Sequence, residues 1–144
     1  MSLGNYYMEI KMSDCIKFSV PGKPEYIRVV RMGVAALACN AGFDVEAVDD
    51  MKLAVDEACK AITCHGATSW TNVYEVACEV LEDKMVISVT DTGDGRELEK
   101  VYRACKNCPQ DGDFAMILIK TLMNDVEIIG GSDEQKSIVM VKNK

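Results

Sequence analysis

The sequence predicts an α+β fold, a two-layer sandwich of helices on one face of a mixed, mostly antiparallel sheet. Two consecutive segments in the first half of the chain carry apolar residues at helical spacing. Two pairs of runs with strand character follow, each pair joined by a short turn, at Glu82–Lys84 and at Gly130–Ser132. Such short joints favour antiparallel hairpins. A third helical segment lies between the two pairs, so the element order fits helices packed on a sheet.

Length and charge bound both the organisation and the function. A chain of 144 residues corresponds to one domain, which we place at 1–144. The 16 basic and 23 acidic residues give a net charge of −7, which argues against binding to duplex nucleic acid. The sequence lacks an apolar run of the roughly 20 residues that span a membrane, and Met1–Ile10 does not resemble a secretory signal. Seven cysteines without regular spacing then indicate reduced thiols in a cytoplasmic protein.

The first elements are two strands and a helix. Tyr6–Met12 and Cys15–Val20 have strand character, and the Pro and Gly residues of Pro21–Pro24 predict a turn after them. The helix after Pro24 ends near Asn40–Gly42. Its apolar stripe consists of Tyr26, Val29, Val30, Gly33, Val34, Leu37 and Ala38.

A second helix begins near Val45 and carries two distinct faces. The predicted core face consists of Val48, Met51, Val55, Ala58, Cys59 and Ile62. Glu57, Ala61 and His65 follow at four-residue steps on the other face, flanked by Leu53, Ala54 and Cys64. Gly66 is placed as a C-terminal cap. Because this second face is too apolar for open water, it indicates the wall of a pocket.

The second half supplies the two hairpins and the last helix. Asn72–Leu81 and Met85–Asp91 form the first predicted hairpin, and Asp91 ends the row of the second strand that faces the core. A glycine turn, Thr92–Gly95, follows directly. The polar connection 96–112 leads to a helix with Asp113 as its N-cap. The remaining elements are the helix Phe114–Met123 and the strands Val126–Ile129 and Ser137–Val141.

Three segments in this order resemble the nucleotide-binding domain of gyrase, histidine kinases and mismatch-repair ATPases, the GHKL superfamily. They are Asp50–Gly66, similar to the N box, Val89–Gly95, similar to the adenine box Asp-x-Gly-x-Gly, and Leu118–Glu127, similar to the stretch after the second glycine box. Together with Pro24–Arg31, they most resemble the bacterial anti-sigma-factor serine kinases. The resemblance extends from about Lys17 to Lys142.

The resemblance implies roles for individual residues. Glu57 matches the general base of phosphoryl transfer. Asp91 matches the acceptor of the adenine amino group, with Gly93 and Gly95 allowing close approach. Arg31 matches an arginine that contacts the sigma factor, and is therefore a candidate for partner binding.

Several positions depart from the family pattern. Ala61 replaces the Asn that holds Mg²⁺, and a methyl group offers no oxygen to this ion. Asp113–Ala115 aligns with the Gly-x-Gly of the second glycine box, so only Gly112 remains beside the phosphates. In the last hairpin Lys136 replaces a glycine, and Ser137 keeps the hydroxyl. We therefore expect weakened or lost binding of ATP or ADP and of Mg²⁺, and no metal ligand in this set.

Two functions follow from the resemblance. The first is an anti-sigma-factor-like regulator that binds a sigma factor or an anti-anti-sigma partner of the STAS type, acting as a homodimer in the cytoplasm. The alternative is an active ATP-dependent serine-protein kinase that phosphorylates the anti-anti-sigma partner, with an oxygen from Asp56, Asp94 or Asp113 in place of the missing Asn. The pair Cys105 and Cys108 is too small a set for a structural zinc site. A third interpretation is that a nucleotide fills the adenine half as a structural ligand, without need of magnesium.

Overall fold

The computed structural model describes residues 13–63, 73–92, 113–130 and 136–144. The strands are β1 (Asp14–Pro21), β2 (Val73–Val80), β3 (Lys84–Asp91), β4 (Asp125–Ile129) and β5 (Ser137–Asn143). The helices are α1 (Ile27–Asn40), α2 (Val45–Thr63) and α3 (Phe114–Leu122), and a 3₁₀ turn, Pro24–Tyr26, precedes α1. The predicted strand Tyr6–Met12, the cap Gly66 and the connection 96–112 lie outside the described residues.

The five strands form one sheet in the order β1-β2-β3-β5-β4, and all four of these pairings are antiparallel. Both predicted hairpins are present. The β2–β3 joint is closed by the Leu81 N–H, which donates to the Lys84 carbonyl at 2.9 Å. Because β5 lies between β3 and β4, the chain leaves β3, forms α3 and returns at the sheet edge. The predicted α+β class is therefore confirmed, with antiparallel pairing throughout the described sheet.

The sheet has one buried face and one half-buried face. Along β3, Met85, Ile87 and Val89 are fully buried, whereas the residues between them are half-buried. Alternation of this kind follows from the period of two in an extended strand. Ile87 is paired in register with Cys78 on β2 and with Met140 on β5, and all three side chains are 0% exposed. This row is the centre of the core beneath the helices.

Helix α1 approaches the sheet edge closely. A Cβ atom at Gly33 would lie 2.6 Å from Cζ of Phe18 on β1, so any larger residue would displace that ring. The helix is followed by Gly42, whose φ of +91° favours glycine. The next helix then starts with a side-chain cap, because the Ala47 N–H donates to Asp44 Oδ1 at 2.8 Å. The short connection, with its positive-φ glycine and its side-chain cap, places α2 beside α1.

Helix α2 lies between the other two helices and also contacts β3 and β5. Its predicted core residues are buried, as the helical spacing indicated. Ala54 was expected to flank the opposite face, but it is 0% exposed and belongs to the core. The reason is its position one turn before Ala58 and one turn after Met51, both fully buried.

The ammonium of Lys142 ties three elements together. Lys142 Nζ donates to Asp50 Oδ2 on α2 at 3.0 Å and to the backbone oxygen of Leu122 at 2.7 Å. The Lys142 side chain is only 15% exposed. The contact with Leu122 also caps the end of α3, because the last carbonyls of a helix lack partners within it.

Replacing Lys142 by Met is expected to lower the free energy of unfolding by about 1–3 kcal/mol, because it leaves a half-buried carboxylate and a helix-end carbonyl without their donor. Urea unfolding followed by circular dichroism measures the change. Lys52→Met is the control, since Lys52 lies 3.8 Å from Asp49 at the surface and such pairs contribute little. A loss no larger than that of the control would contradict the structural role of Lys142.

Candidate functional site

Glu57 and Ala61 lie one turn apart on α2. The Glu57 side chain is 25% exposed, and Ala61 is half-buried against the core. Ala61 therefore presents a small apolar surface where the family pattern has an amide. His65, the third predicted member of this face, lies outside the described residues.

Glu57 belongs to a chain of ion pairs that we call the charged cluster, made of Arg31, Asp56, Lys60 and Glu57. Lys60 Nζ lies 3.3 Å from Glu57 Oε2 and 3.1 Å from Asp56 Oδ2. The second oxygen of Asp56, Oδ1, accepts from Arg31 Nη1 at 3.2 Å, so α1 and α2 are joined. Asp56 is the most buried member, with 14% of its side chain exposed. The cluster thus connects the candidate partner-binding arginine to the candidate base.

Lysine stays protonated within this cluster. The hydrogen bond to Asp56 is the largest cause that raises the pKa of Lys60, and the charges of Asp56 and Glu57 act in the same direction. Partial burial opposes this shift. Lys60 is therefore a fixed positive charge beside Glu57 across the physiological pH range.

Asp91 lies where the sequence places it, at the end of the β3 row that faces the core. It is half-buried, and its register partner on β2 is Tyr74. Two hydrogen bonds hold this end of the sheet: the Asp91 N–H donates to the Lys136 carbonyl at 3.0 Å, and the Thr92 hydroxyl donates to the Val73 carbonyl at 2.8 Å. The Asp91 carboxylate is thus carried on rigid backbone, as a group that recognises a ligand requires.

Tyr74 and Cys59 form a buried polar contact beneath α2. The Tyr74 hydroxyl is buried and has no partner with ordinary hydrogen-bond geometry among the described residues, although it interacts with the Cys59 thiol. Burial raises the pKa of Cys59 to about 12 and also raises the pKa of the Tyr74 hydroxyl. Burial likewise raises the pKa of Cys78 to about 12. These thiols are therefore neutral and unreactive, whereas Cys15 and Cys39 are exposed.

Ser137 is not brought together with Asp91. It pairs with Thr90 in register, so its side chain lies on the half-buried face of the sheet, opposite to that of Asp91. Its hydroxyl oxygen is 2.8 Å from that of Thr90. The predicted nucleotide-binding glycines Gly93, Gly95 and Gly112 lie outside the described residues.

The start of α3 carries the side chains that replace the second glycine box. The helix begins at Phe114 and has Asp113 at its N-cap position, as predicted. Phe114 is 78% exposed, so its ring stands out at the helix N-terminus. A helix N-terminus can bind phosphate through its free N–H groups. Here an aromatic ring and a carboxylate flank that position.

The donor set around Glu57 does not fit a magnesium site. Mg²⁺ requires oxygen ligands in near-octahedral geometry. Ala61 offers no oxygen, and both oxygens of Asp56 are engaged by Arg31 and Lys60. In the part of the chain that the structure describes, no group of three or more His, Cys, Asp or Glu could hold a metal ion.

The sequence indicated Asp56 only as a possible substitute for the missing Asn, and it did not identify Lys60 as a partner of the candidate site. Their four-residue spacing on a helix is a recognised signal for an ion pair. The link from Asp56 to Arg31 spans 25 positions, and only the packing of α1 against α2 creates it.

Within the described residues, no helix is long and apolar enough to cross a membrane.

Comparison with known proteins identifies the family of the chain. The profile of the family described as "Histidine kinase-like ATPase domain" matches residues 20–142. Serine-protein kinase RsbW of Listeria monocytogenes serovar 1/2a is 36% identical over 143 aligned positions, covering 91% of this chain and 88% of that protein. The protein of the same name in Bacillus cereus is 29% identical, covering 88% of this chain and 83% of its own.

A solved structure supports the fold. The crystal structure of the RsbU and RsbW domains of a Mycobacterium tuberculosis protein matches with a TM-score of 0.65 and 16% identity. The match covers 90% of this chain and 32% of that one. The family match spans most of the chain, and the curated relatives share more than a third or nearly a third of their residues with it. The chain therefore belongs to the histidine kinase-like ATPase domain family, in the group of the RsbW serine-protein kinases.

Proposed function

We propose that this protein is an anti-sigma-factor-type regulator that binds a sigma factor or an anti-anti-sigma partner, with weakened or lost binding of ATP and Mg²⁺. Its relatives carry the name serine-protein kinase RsbW, and the resemblance in its sequence motifs implies both kinds of partner. Residues 1–144 then act as one domain, in a cytoplasmic homodimer that contacts neither nucleic acid nor membrane.

The observation that carries the proposal is the state of the site around Glu57. The candidate base is kept, yet it is paired with Lys60 and stands beside Ala61. Asp91 is kept on rigid backbone, which supports a remaining adenine contact. The phosphate side has Asp113 and Phe114 in place of glycines. Such a site favours a protein that acts by binding its partner.

Arg31 supports a partner surface on α1. Its side chain is 35% exposed, and its guanidinium is held by Asp56. An arginine fixed in this way loses little conformational entropy when it binds, which favours it as an interface residue.

Affinity capture tests the proposal. The tagged full-length chain, expressed in its native host, should retain a sigma factor or a small anti-anti-sigma protein that mass spectrometry identifies. The purified pair should then bind in buffer with EDTA and without nucleotide. Absence of both partner classes, or binding that requires Mg²⁺ and ATP, would contradict the proposal.

The alternative, an active serine kinase, is favoured by the retention of Glu57 and Asp91. In that function Glu57 accepts the proton of the target serine hydroxyl. Lys60 Nζ approaches Glu57 Oε2 at 3.3 Å, so the ion pair competes with the serine hydroxyl for that oxygen. The captured anti-anti-sigma protein is incubated with radiolabelled ATP and either the wild-type chain or its Glu57→Gln variant. This experiment distinguishes the two functions. Labelling that depends on Glu57 establishes the kinase.

A further inference from the structure

Lys60 is placed differently from an ordinary surface lysine. It lies one position before Ala61 and bridges two carboxylates of its own helix, Asp56 and Glu57, at 3.1 and 3.3 Å. Asp56 is in turn fixed by Arg31 at 3.2 Å. The ammonium is thereby anchored by two carboxylates, and the Lys60 side chain as a whole is 56% exposed. A charge held in this way can face a ligand without first being ordered.

The charge balance of the cluster also differs from that of a carboxylate site. Arg31 and Lys60 supply two positive charges, and Asp56 and Glu57 supply two negative ones. The charges of the charged cluster therefore sum to zero, although the entire chain carries a net charge of −7. An anionic ligand would be repelled by an unpaired Glu57, and pairing with Lys60 removes most of that repulsion.

We propose that Lys60 supplies the positive charge that a divalent cation would otherwise bring to this site, so that a nucleotide phosphate binds beside Glu57 without metal. The inference rests on the proposed function for the presence of a remaining nucleotide pocket. It adds the identity of the cation and the independence from Mg²⁺.

The chemistry of the ammonium decides what such a site can do. An ammonium donates hydrogen bonds to phosphate oxygens as a point charge and imposes no coordination geometry. The ammonium carries one positive charge where a divalent cation carries two. The affinity of the site for a triphosphate therefore exceeds its affinity for a diphosphate only slightly.

Titration calorimetry of the full chain with ADP and with ATP, each in EDTA and in MgCl₂, tests the proposal. The wild-type protein should bind both nucleotides with dissociation constants that change less than about threefold on adding Mg²⁺. Lys60→Gln should weaken binding about tenfold, the effect of losing one charge-assisted hydrogen bond. Lys60→Arg should retain most of the affinity because it retains the charge.

Lys52→Gln provides the matched control, because Lys52 lies on the same helix and pairs only loosely with Asp49, at 3.8 Å. Its affinity should equal that of the wild type. A requirement for Mg²⁺ in the wild type, or equal binding by Lys60→Gln, would overturn the proposal. Absence of nucleotide binding under every condition would overturn it as well, while the proposed partner binding, measured without nucleotide, would stand.

Discussion

Truncation of Ile87 to Ala should lower the free energy of unfolding by about 3–4 kcal/mol, a large share of the 5–15 kcal/mol that typically holds a domain folded. Ile87 is 0% exposed at the middle of β3. Its register neighbours Cys78 and Met140 are equally buried. With packed neighbours on both adjacent strands and α2 above the sheet, the removed methyl groups leave a cavity that surrounding atoms fill only partly.

Ile117→Ala is the control for this experiment, since it deletes the same atoms from a side chain that is 53% exposed. We expect a loss below about 1 kcal/mol there, because Ala is also the better helix former. Urea unfolding monitored by circular dichroism compares the two variants. Equal losses would show that the Cys78–Ile87–Met140 row is not the centre of the core.

The sheet and helices were predictable because their signals are local. Alternation along β3 and helical spacing along α2 each depend on residues within a few positions of one another. The ends of the helices and strands were less well predicted. The first helix begins at Ile27 and not directly after Pro24, because Pro24–Tyr26 forms a 3₁₀ turn. The last strand continues to Asn143, two residues past the predicted end, where it still pairs with Lys84.

The family was predictable because its motifs occur in a fixed order on fixed elements, and that prediction is confirmed. Side-chain partners were not predictable in the same way. The pairing of Arg31 with Asp56 depends on how two helices pack, and no short-range pattern encodes it. The orientation of the Ser137 side chain follows from strand register, because its pairing with Thr90 places it on the face opposite Asp91. A motif match does not contain this information.

The buried hydroxyl of Tyr74 illustrates a further limit. A strand tyrosine in an alternating pattern is read as a core residue, and its ring is indeed 0% exposed. The hydroxyl, however, ends in a region where the Cys59 thiol is its neighbour and Asp56 contributes a nearby negative charge. Burial of such a group costs free energy unless it is partnered. The Tyr74 hydroxyl therefore lies near both Cys59 of the core and Asp56 of the charged cluster.

Replacement of Arg31 by Met should weaken binding to the captured sigma factor or anti-anti-sigma partner about thirtyfold or more, equivalent to about 2 kcal/mol. The reason is that Arg31 combines a side chain that is 35% exposed with a fixed position beside Asp56. Surface plasmon resonance with the purified partner measures the change. Thermal unfolding of the same variant, expected to shift by only a few degrees, shows that the domain stays folded.

Two further variants separate contact from positioning. Arg28→Met, on the exposed side of the same helix, removes a nearby positive charge and should change partner binding less than about threefold, which excludes a general electrostatic effect. Asp56→Asn leaves Arg31 in place but replaces its ion pair by a weaker contact, so binding should fall by less than in Arg31→Met. If Asp56→Asn weakens binding as much as Arg31→Met, the arginine serves the packing of α1 on α2 and does not touch the partner. If Arg31→Met binds like the wild type, the partner surface lies elsewhere on the domain.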